Sequence, residues 1–338
     1  MASQRSLKLV IEHFPYHQPF RIAGHVFAET AVLLAEIGEG GHVGRGEAAG
    51  VYYLGDDAAH MLAEAERVRA SIEAGATRAE LQALLPPGGA RNALDCALWA
   101  LEARQSGTPV WQLAGLDPPR PLLSTLTLGA DAPGVMAAAA LKLDPLAPVK
   151  VKLTGDLVLD TARVAAIRAA RPEAWIGVDA NQGYDRAGLE KLLPVLMAHD
   201  VAQLEQPLRR GDEAALDGLV RPLPFVADES ALSLADTDAL AGRFDLVNIK
   251  LDKCGGLTEA LAIARRAREL GLGVMVGNMM GTSLAMAPSF IVGQFCDVVD
   301  LDGPTFLARD RTPSVTYANG HIDCSPAIWE FADLSQSG

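Results

Sequence analysis

Val149-Lys150-Val151-Lys152-Leu153-Thr154-Gly155 is a short apolar run that carries two lysines on one side, then breaks into loop residues before a helical pattern. The same plan returns at Asp179-Ala180-Asn181, Glu205, Asp228-Glu229 and Lys250, at steps of 27, 26, 23 and 22 residues counted from Lys152. A period of about 25 residues, with one strand and one helix per unit, predicts a βα barrel. Strands are expected over residues 122–128, 149–153, 174–179, 201–204, 225–227, 246–249, 273–276 and 297–301, with helices at 157–171, 186–199, 232–241 and 257–270 between them. The strand C-termini of such a barrel meet at one mouth. Three carboxylates and two lysines far apart in the chain are therefore expected together.

The N-terminal third follows another pattern. Residues 6–50 read as an antiparallel meander, with strands at 7–14 and 29–37 and a hairpin turn at Gly38-Glu39-Gly40-Gly41. Helical patterns follow at 57–73, at 78–85 with Thr77 as its cap and Pro86-Pro87 as its stop, and at 91–104 ahead of Gly107. The expected organisation is an α+β unit over 1–118 and a barrel over 119–310, with 311–338 returning to the first unit. Gly44-Arg45-Gly46-Glu47-Ala48-Ala49 matches a dinucleotide-binding pattern, but it lies in an antiparallel unit where no helix begins, so no such site is expected.

A net charge of −13 argues against nucleic acid as a partner. The four cysteines, Cys96, Cys254, Cys296 and Cys324, have no metal-binding spacing and are expected to be reduced thiols. The first residues alternate and contain a proline, so they read as a strand rather than a leader. The alanine-rich stretch 136–143 is too short to span a membrane and reads as a barrel helix. A cytoplasmic protein without membrane contact is expected, and the reading leaves room for a homo-oligomer.

A single carboxylate at a strand end is usually a turn or cap residue. Asp179, Glu205 and Asp228 differ because they close three consecutive strands, about 4.8 Å apart in a closed sheet. Three converging carboxylates repel unless a cation joins them. Mg2+ accepts such an oxygen set and leaves positions for substrate, whereas the lack of His or Cys speaks against zinc. Lys152 and Lys250 end strands two and six, on opposite sides of an eight-stranded mouth. A base for a carbon acid must be near neutral, and a neighbouring cation is expected to pull a lysine down from about 10.4. One lysine on each face of an α-carbon can remove a proton and return it to the other face, inverting the centre. Lys150 is expected to neutralise the carboxylates and Asn181 to orient them by hydrogen bonding.

The set KVK, DAN, LEQP, DES and NIK, followed by KCGG, closely resembles the enolase superfamily and, within it, the muconate lactonizing enzyme subgroup. The resemblance covers nearly the whole chain. It implies an α/β fold, a modified (β/α)7β TIM-type barrel with an N-terminal α+β capping domain. It also implies Mg2+ on Asp179, Glu205 and Asp228, with Lys152 and Lys250 as the acid/base pair acting through an enediolate. Glu229 follows the last ligand and is taken as supporting.

Asp300-Leu301-Asp302 closes the eighth strand. Before Gly303-Pro304 it could be a plain turn. Its period of two puts both carboxylates on one face at the mouth, and the resemblance implies a dipeptide epimerase in which they hold the substrate ammonium. In the family the loop at 19–27 closes over the barrel and touches the far side chain of the substrate. It contributes Arg21 and His25 here, with Met279 as an adaptable wall. Residues 48–53, Ala-Ala-Gly-Val-Tyr-Tyr, depart from the proline and acidic loop common in the family and are expected to reshape the pocket. The alternatives are an N-acylamino acid racemase or o-succinylbenzoate synthase on the same scaffold, a metal-independent Schiff-base lyase, and a silent binding barrel.

Overall fold

A computed structural model describes residues 5–22 and 25–331, apart from the side chains of residues 20–25. Strands β1 (Ser6–Ile22), β2 (His25–Glu39) and β3 (His42–Ala48) form an antiparallel sheet in the order β1-β2-β3. The first two strands run further than their hydrophobic alternation suggests. β1 continues past Pro15 to Ile22, and the pairing shifts register between Pro15 and Phe20, in a stretch where prolines cannot donate to the ladder. Within the expected loop at 19–27, residues 19–22 belong to β1 and 25–27 to β2, and the rest lies outside the described residues. The second turn is also tighter than expected. Gly38 and Glu39 still pair with Val43 and His42, which leaves only Gly40 and Gly41, at φ 61° and 81°, to reverse the chain.

Helix α1 (Ala58–Arg67) starts at Asp57, whose side chain accepts from His60 N, and a break at Val68 separates it from α2 (Arg69–Glu73). In α3 (Arg78–Leu84) the Thr77 cap is completed by Glu80, a reciprocal capping box. The next helix, α4 (Gly89–Ser106), is buried along most of its length and packs on β2 and β3. Gly44 and Gly46 make that packing possible: a Cβ at Gly44 would run into Ala97 O and Leu101 N, and one at Gly46 into Ala93 O. The glycines of the dinucleotide-like pattern are therefore seats for a helix. Gly44→Ala is expected to destabilise the protein by about 3 kcal/mol, the upper end of ordinary overpacking costs, measured by denaturant unfolding.

After α5 (Val110–Leu113) the expected strand at 122–128 divides in two. β4 (Leu122–Leu123) leaves to join a small sheet, and β5 (Leu126–Leu128) opens the barrel. The barrel chain then runs α6 (Pro133–Ala140), β6 (Val149–Lys152), α7 (Leu157–Ala170), β7 (Ile176–Asp179), α8 (Arg186–Ala198), β8 (Gln203–Glu205) and β9 (Phe225–Ala227). It continues with α9 (Leu234–Thr237), β10 (Leu246–Ile249), α10 (Leu251–Cys254), α11 (Leu257–Glu269), β11 (Gly273–Val276), α12 (Ser283–Gly293) and β12 (Val298–Val299). The eight strands from β5 to β12 pair in sequence order, and among the described residues their pairings are parallel. Thr125 N donates to Val299 O at 2.9 Å and brings the two edges together. The helix expected at 232–241 is only α9 and a 3-10 turn, Asp238–Leu240.

From Arg311 the chain touches both units. β13 (Thr316–Ala318) pairs with β14 (His321–Asp323) and β14 with β4, while Trp329 Nε1 donates to Arg45 O of β3 at 2.8 Å. Arg311 also pairs with Glu12 and Glu47. One large apolar core fills the barrel and its helices, a second fills the cap, and Phe14, Tyr16, Val32 and Leu307 join cap to barrel. Among the described residues no helix is long and apolar enough to cross a membrane.

Candidate active site

The period of two along β6 turns Lys150 and Lys152 away from Val149 and Val151, which pack in the barrel's apolar core. Register then sets the heights. Lys152 pairs with Asp179 and Asp179 with Glu205 on adjacent strands, and Asp228 follows β9 directly. Asp179, Glu205 and Asp228 are all buried, and their ligand oxygens lie within 4.8 Å of one another. The lysines flank this trio, four strands apart. Lys152 Nζ lies 2.6 Å from Asp179 Oδ2, and Lys250 Nζ 2.7 Å from Asp228 Oδ2.

The charges settle unevenly. Burial, then the charge of Asp179, pushes Glu205 up to about 7. Burial, then Asp228 and Asp179, pushes Glu229 up to about 8. Burial acts the same way on Asp228, but Lys250 and Lys253 outweigh it and hold that carboxyl well below its usual range. Negative charge is thus left under-compensated at Glu205 and Glu229, and Glu229 Oε2 is buried without a hydrogen-bond partner. A dication fits this set: three converging hard oxygens, with excess negative charge around them.

The protein's own charges act on Lys250 in both directions. Burial pulls Lys250 down, yet Asp228 and the other carboxylates outweigh it and keep the ammonium above the usual lysine range. Lys150 meets three carboxylates: its Nζ is 2.8 Å from Glu205 Oε2, 3.4 Å from Asp179 Oδ2 and 2.8 Å from Asp300 Oδ2. Asn181 meets Asp179 through its backbone. Its N–H donates to Asp179 Oδ1 at 2.9 Å from a residue at φ 43°, while its side-chain Oδ1 is buried without a partner.

Asp300 and Asp302 are both buried and line the same cavity. Asp300 accepts from Lys150 Nζ and, at 2.6 Å, from Thr125 Oγ1, while Asp302 accepts from Thr127 N at 2.6 Å. Burial, then the charge of Asp300, pushes Asp302 up to about 7. The cavity holds about 250 Å³ and is walled by the barrel mouth below and by Tyr16, Phe27, Tyr52 and Tyr53 of the cap above. Met279 and Met280 line it, and Met280 packs on the Phe14–Tyr16 cluster. The side chains of Arg21 and His25 lie outside the described residues.

Several partners escaped the sequence reading. Asn248 Nδ2 donates to Glu205 Oε1 at 2.8 Å, and its place two residues before Lys250 was the signal for it. Lys253 Nζ reaches Asp228 Oδ1 and Asp228 O, both at 2.5 Å, and Asn248 O at 3.0 Å. Gln206 Oε1 accepts from Asp228 N at 3.0 Å. The last two depend on how helix and loop fold back, which leaves no periodic mark.

A capped βα barrel whose strand ends set three carboxylates between two lysines defines an enzyme scaffold for moving a proton on carbon. Residues 4–115 match the "Mandelate racemase / muconate lactonizing enzyme, N-terminal domain" family, and residues 135–326 match "Enolase C-terminal domain-like". The chain belongs to this mandelate racemase and muconate lactonizing enzyme family of the enolase superfamily. It is 40% identical over 318 residues to the L-Ala-D/L-Glu epimerase of Escherichia coli (strain K12), covering 94% of this chain and 99% of that one. It is 41% identical over 258 residues to an N-acetyl-D-glutamate racemase of Pseudoalteromonas sp, covering 76% and 81%. The solved dipeptide epimerase of Methylococcus capsulatus, complexed with Mg and L-Arg-D-Lys, superposes with a TM-score of 0.87 at 30% identity, covering 96% and 98%.

Proposed function

We propose that this chain is an isomerase that inverts the α-carbon of a dipeptide's C-terminal residue by moving one proton between two lysines, with Mg2+ as cofactor. The observation that carries the dipeptide assignment is the buried Asp300–Asp302 pair at the cavity wall. Two adjacent carboxylates, one of them pushed up to about 7, suit a substrate ammonium. Asp179, Glu205 and Asp228 would hold the cation, whose chemistry is to place positive charge beside the substrate carboxylate and acidify the α-proton. Lys152 and Lys250 each face one side of that carbon: one takes the proton as a neutral amine, and the other, as an ammonium, returns a proton to the opposite face. Lys150, shared between Glu205 and Asp300, ties the carboxylate centre to the ammonium site. Asn181 and Glu229 support that centre. Residues 1–118, with 311–331 packed beside them, would act as a cap over the barrel of 119–310, and Arg21, His25 and Met279 would meet the substrate's side chains. Cytoplasmic location and a homo-oligomeric state belong to the same reading.

The test is incubation of an L,L-dipeptide library with protein and Mg2+ in D2O. Deuterium is expected at the C-terminal α-carbon, and lack of exchange on every dipeptide rejects the assignment. N-acylamino acid racemisation is the second reading, favoured by the 41% identity to the Pseudoalteromonas racemase. Its substrates carry no ammonium. Asp302→Asn separates the two: a loss in kcat/KM of about 100-fold on dipeptides is expected, the scale of a buried charge-assisted contact, and an N-acyl substrate would be nearly indifferent.

A further inference from the structure

Asp252 lies on the first turn of α10, two residues after Lys250, and is buried. Its Oδ1 accepts from two consecutive amides of the cap, Ala49 N and Gly50 N, each at 2.9 Å. Successive N–H groups around one carboxylate oxygen form an anion nest. Gly50 builds it at φ 71°, where a Cβ would also run into Asp56 O. The far end of the same loop is strapped as well, since Asp56 Oδ2 accepts from Gly89 N of α4 at 2.7 Å. Between these straps sit Tyr52 and Tyr53, both lining the cavity. Tyr52 meets Phe27 edge-on at 5.1 Å and Tyr53 at 5.3 Å, so the cap wall of the pocket continues from hairpin to loop. One carboxylate therefore joins that wall to the strand end that presents Lys250. The carboxylate sits there at a cost, since burial pushes it up to about 7.

We propose that Asp252 is a positioning residue for substrate binding, which seats the tyrosine loop 49–57 of the cap in register with Lys250. The proposal rests on the dipeptide reading for its substrate and on the nest for its geometry. Asp252→Ala removes the acceptor, while Asp252→Asn keeps an oxygen where both amides point. In the alanine variant KM for a dipeptide is expected to rise about tenfold or more with kcat within about threefold, the pattern of lost binding rather than lost chemistry. The asparagine variant is expected to stay within about threefold of the parent in both. Amide hydrogen exchange over 49–57 should quicken in Asp252→Ala and not in Asp252→Asn, with the barrel strands unchanged. If the alanine variant does not fold, Gly50→Ala breaks the nest from the cap side and is expected to give the same rise in KM. An unmoved KM in the folded variants overturns the proposal, and so does a fall in kcat with KM and loop exchange unchanged. The exchange measurement needs no substrate. If the parent protein epimerises no dipeptide, the functional reading falls, while unchanged loop exchange in Asp252→Ala would separately sink the seating role.

Discussion

Lys250→Ala is expected to lower epimerisation by about 10³–10⁴-fold, the scale of a lost general acid–base group. The sharper outcome is stereochemical. Lys152 and Lys250 stand four strands apart on either flank of the carboxylate trio, so each is expected to address one face of the substrate carbon. With Lys250 gone, Lys152 can still exchange the α-proton of the one epimer that presents it. Deuterium wash-in followed by NMR is expected to survive for either the L,L or the L,D dipeptide and vanish for the other, with Lys152→Ala showing the reverse choice. Equal loss on both epimers in both variants would dismiss the two-face arrangement. Mg2+ affinity should be measured alongside, because Lys250 is an ion-pair partner of Asp228 and its removal changes the charge at a ligand.

Chelation carries the second large effect. Stripping the protein with EDTA is expected to abolish turnover, and Mg2+ to restore it. The stripped protein should also unfold at lower temperature. A ligand held at about 100 times its Kd stabilises the native state by about 2.7 kcal/mol. For a chain of this size each kcal/mol shifts Tm by about 1–2 °C. The physical reason lies in Asp179, Glu205 and Asp228, whose oxygens lie within 4.8 Å of one another and repel until a cation joins them. Asp179→Asn is expected to shrink the Mg2+-dependent Tm shift as well as the activity. Turnover that ignores EDTA, with no Tm shift on adding Mg2+, would favour the metal-independent Schiff-base reading.

The barrel was legible because its signals repeat. Lys152, Asp179, Glu205, Asp228 and Lys250 each close a strand, and parallel pairing brings strand ends to a common height, so sequence spacing translated into spatial grouping. The Thr77 cap was local in the same sense, since it lies directly before the helix it caps. The misreadings share the opposite character. Residues 122–128 look like one strand, yet β4 leaves for β14, whose residues lie nearly 200 positions later, so no local pattern could divide them. The first hairpin outran its alternation because pairing with β2 continues beyond the register shift between Pro15 and Phe20.

Residue type and spacing alone determined the barrel, the cap, the gathering of the carboxylate trio and the lysine pair beside it, because backbone periodicity carries such residues to defined places whatever surrounds them. Tertiary structure alone decided how those residues are tuned and enclosed. It brought Lys253 onto Asp228, clamped Ala49 and Gly50 with Asp252, and roofed the cavity with Tyr52 and Tyr53. It also surrounded Lys250 with carboxylates that raise it against the pull of burial. Burial, charge balance and loop seating arise from groups distant in the chain meeting in space, and no period in the sequence encodes them.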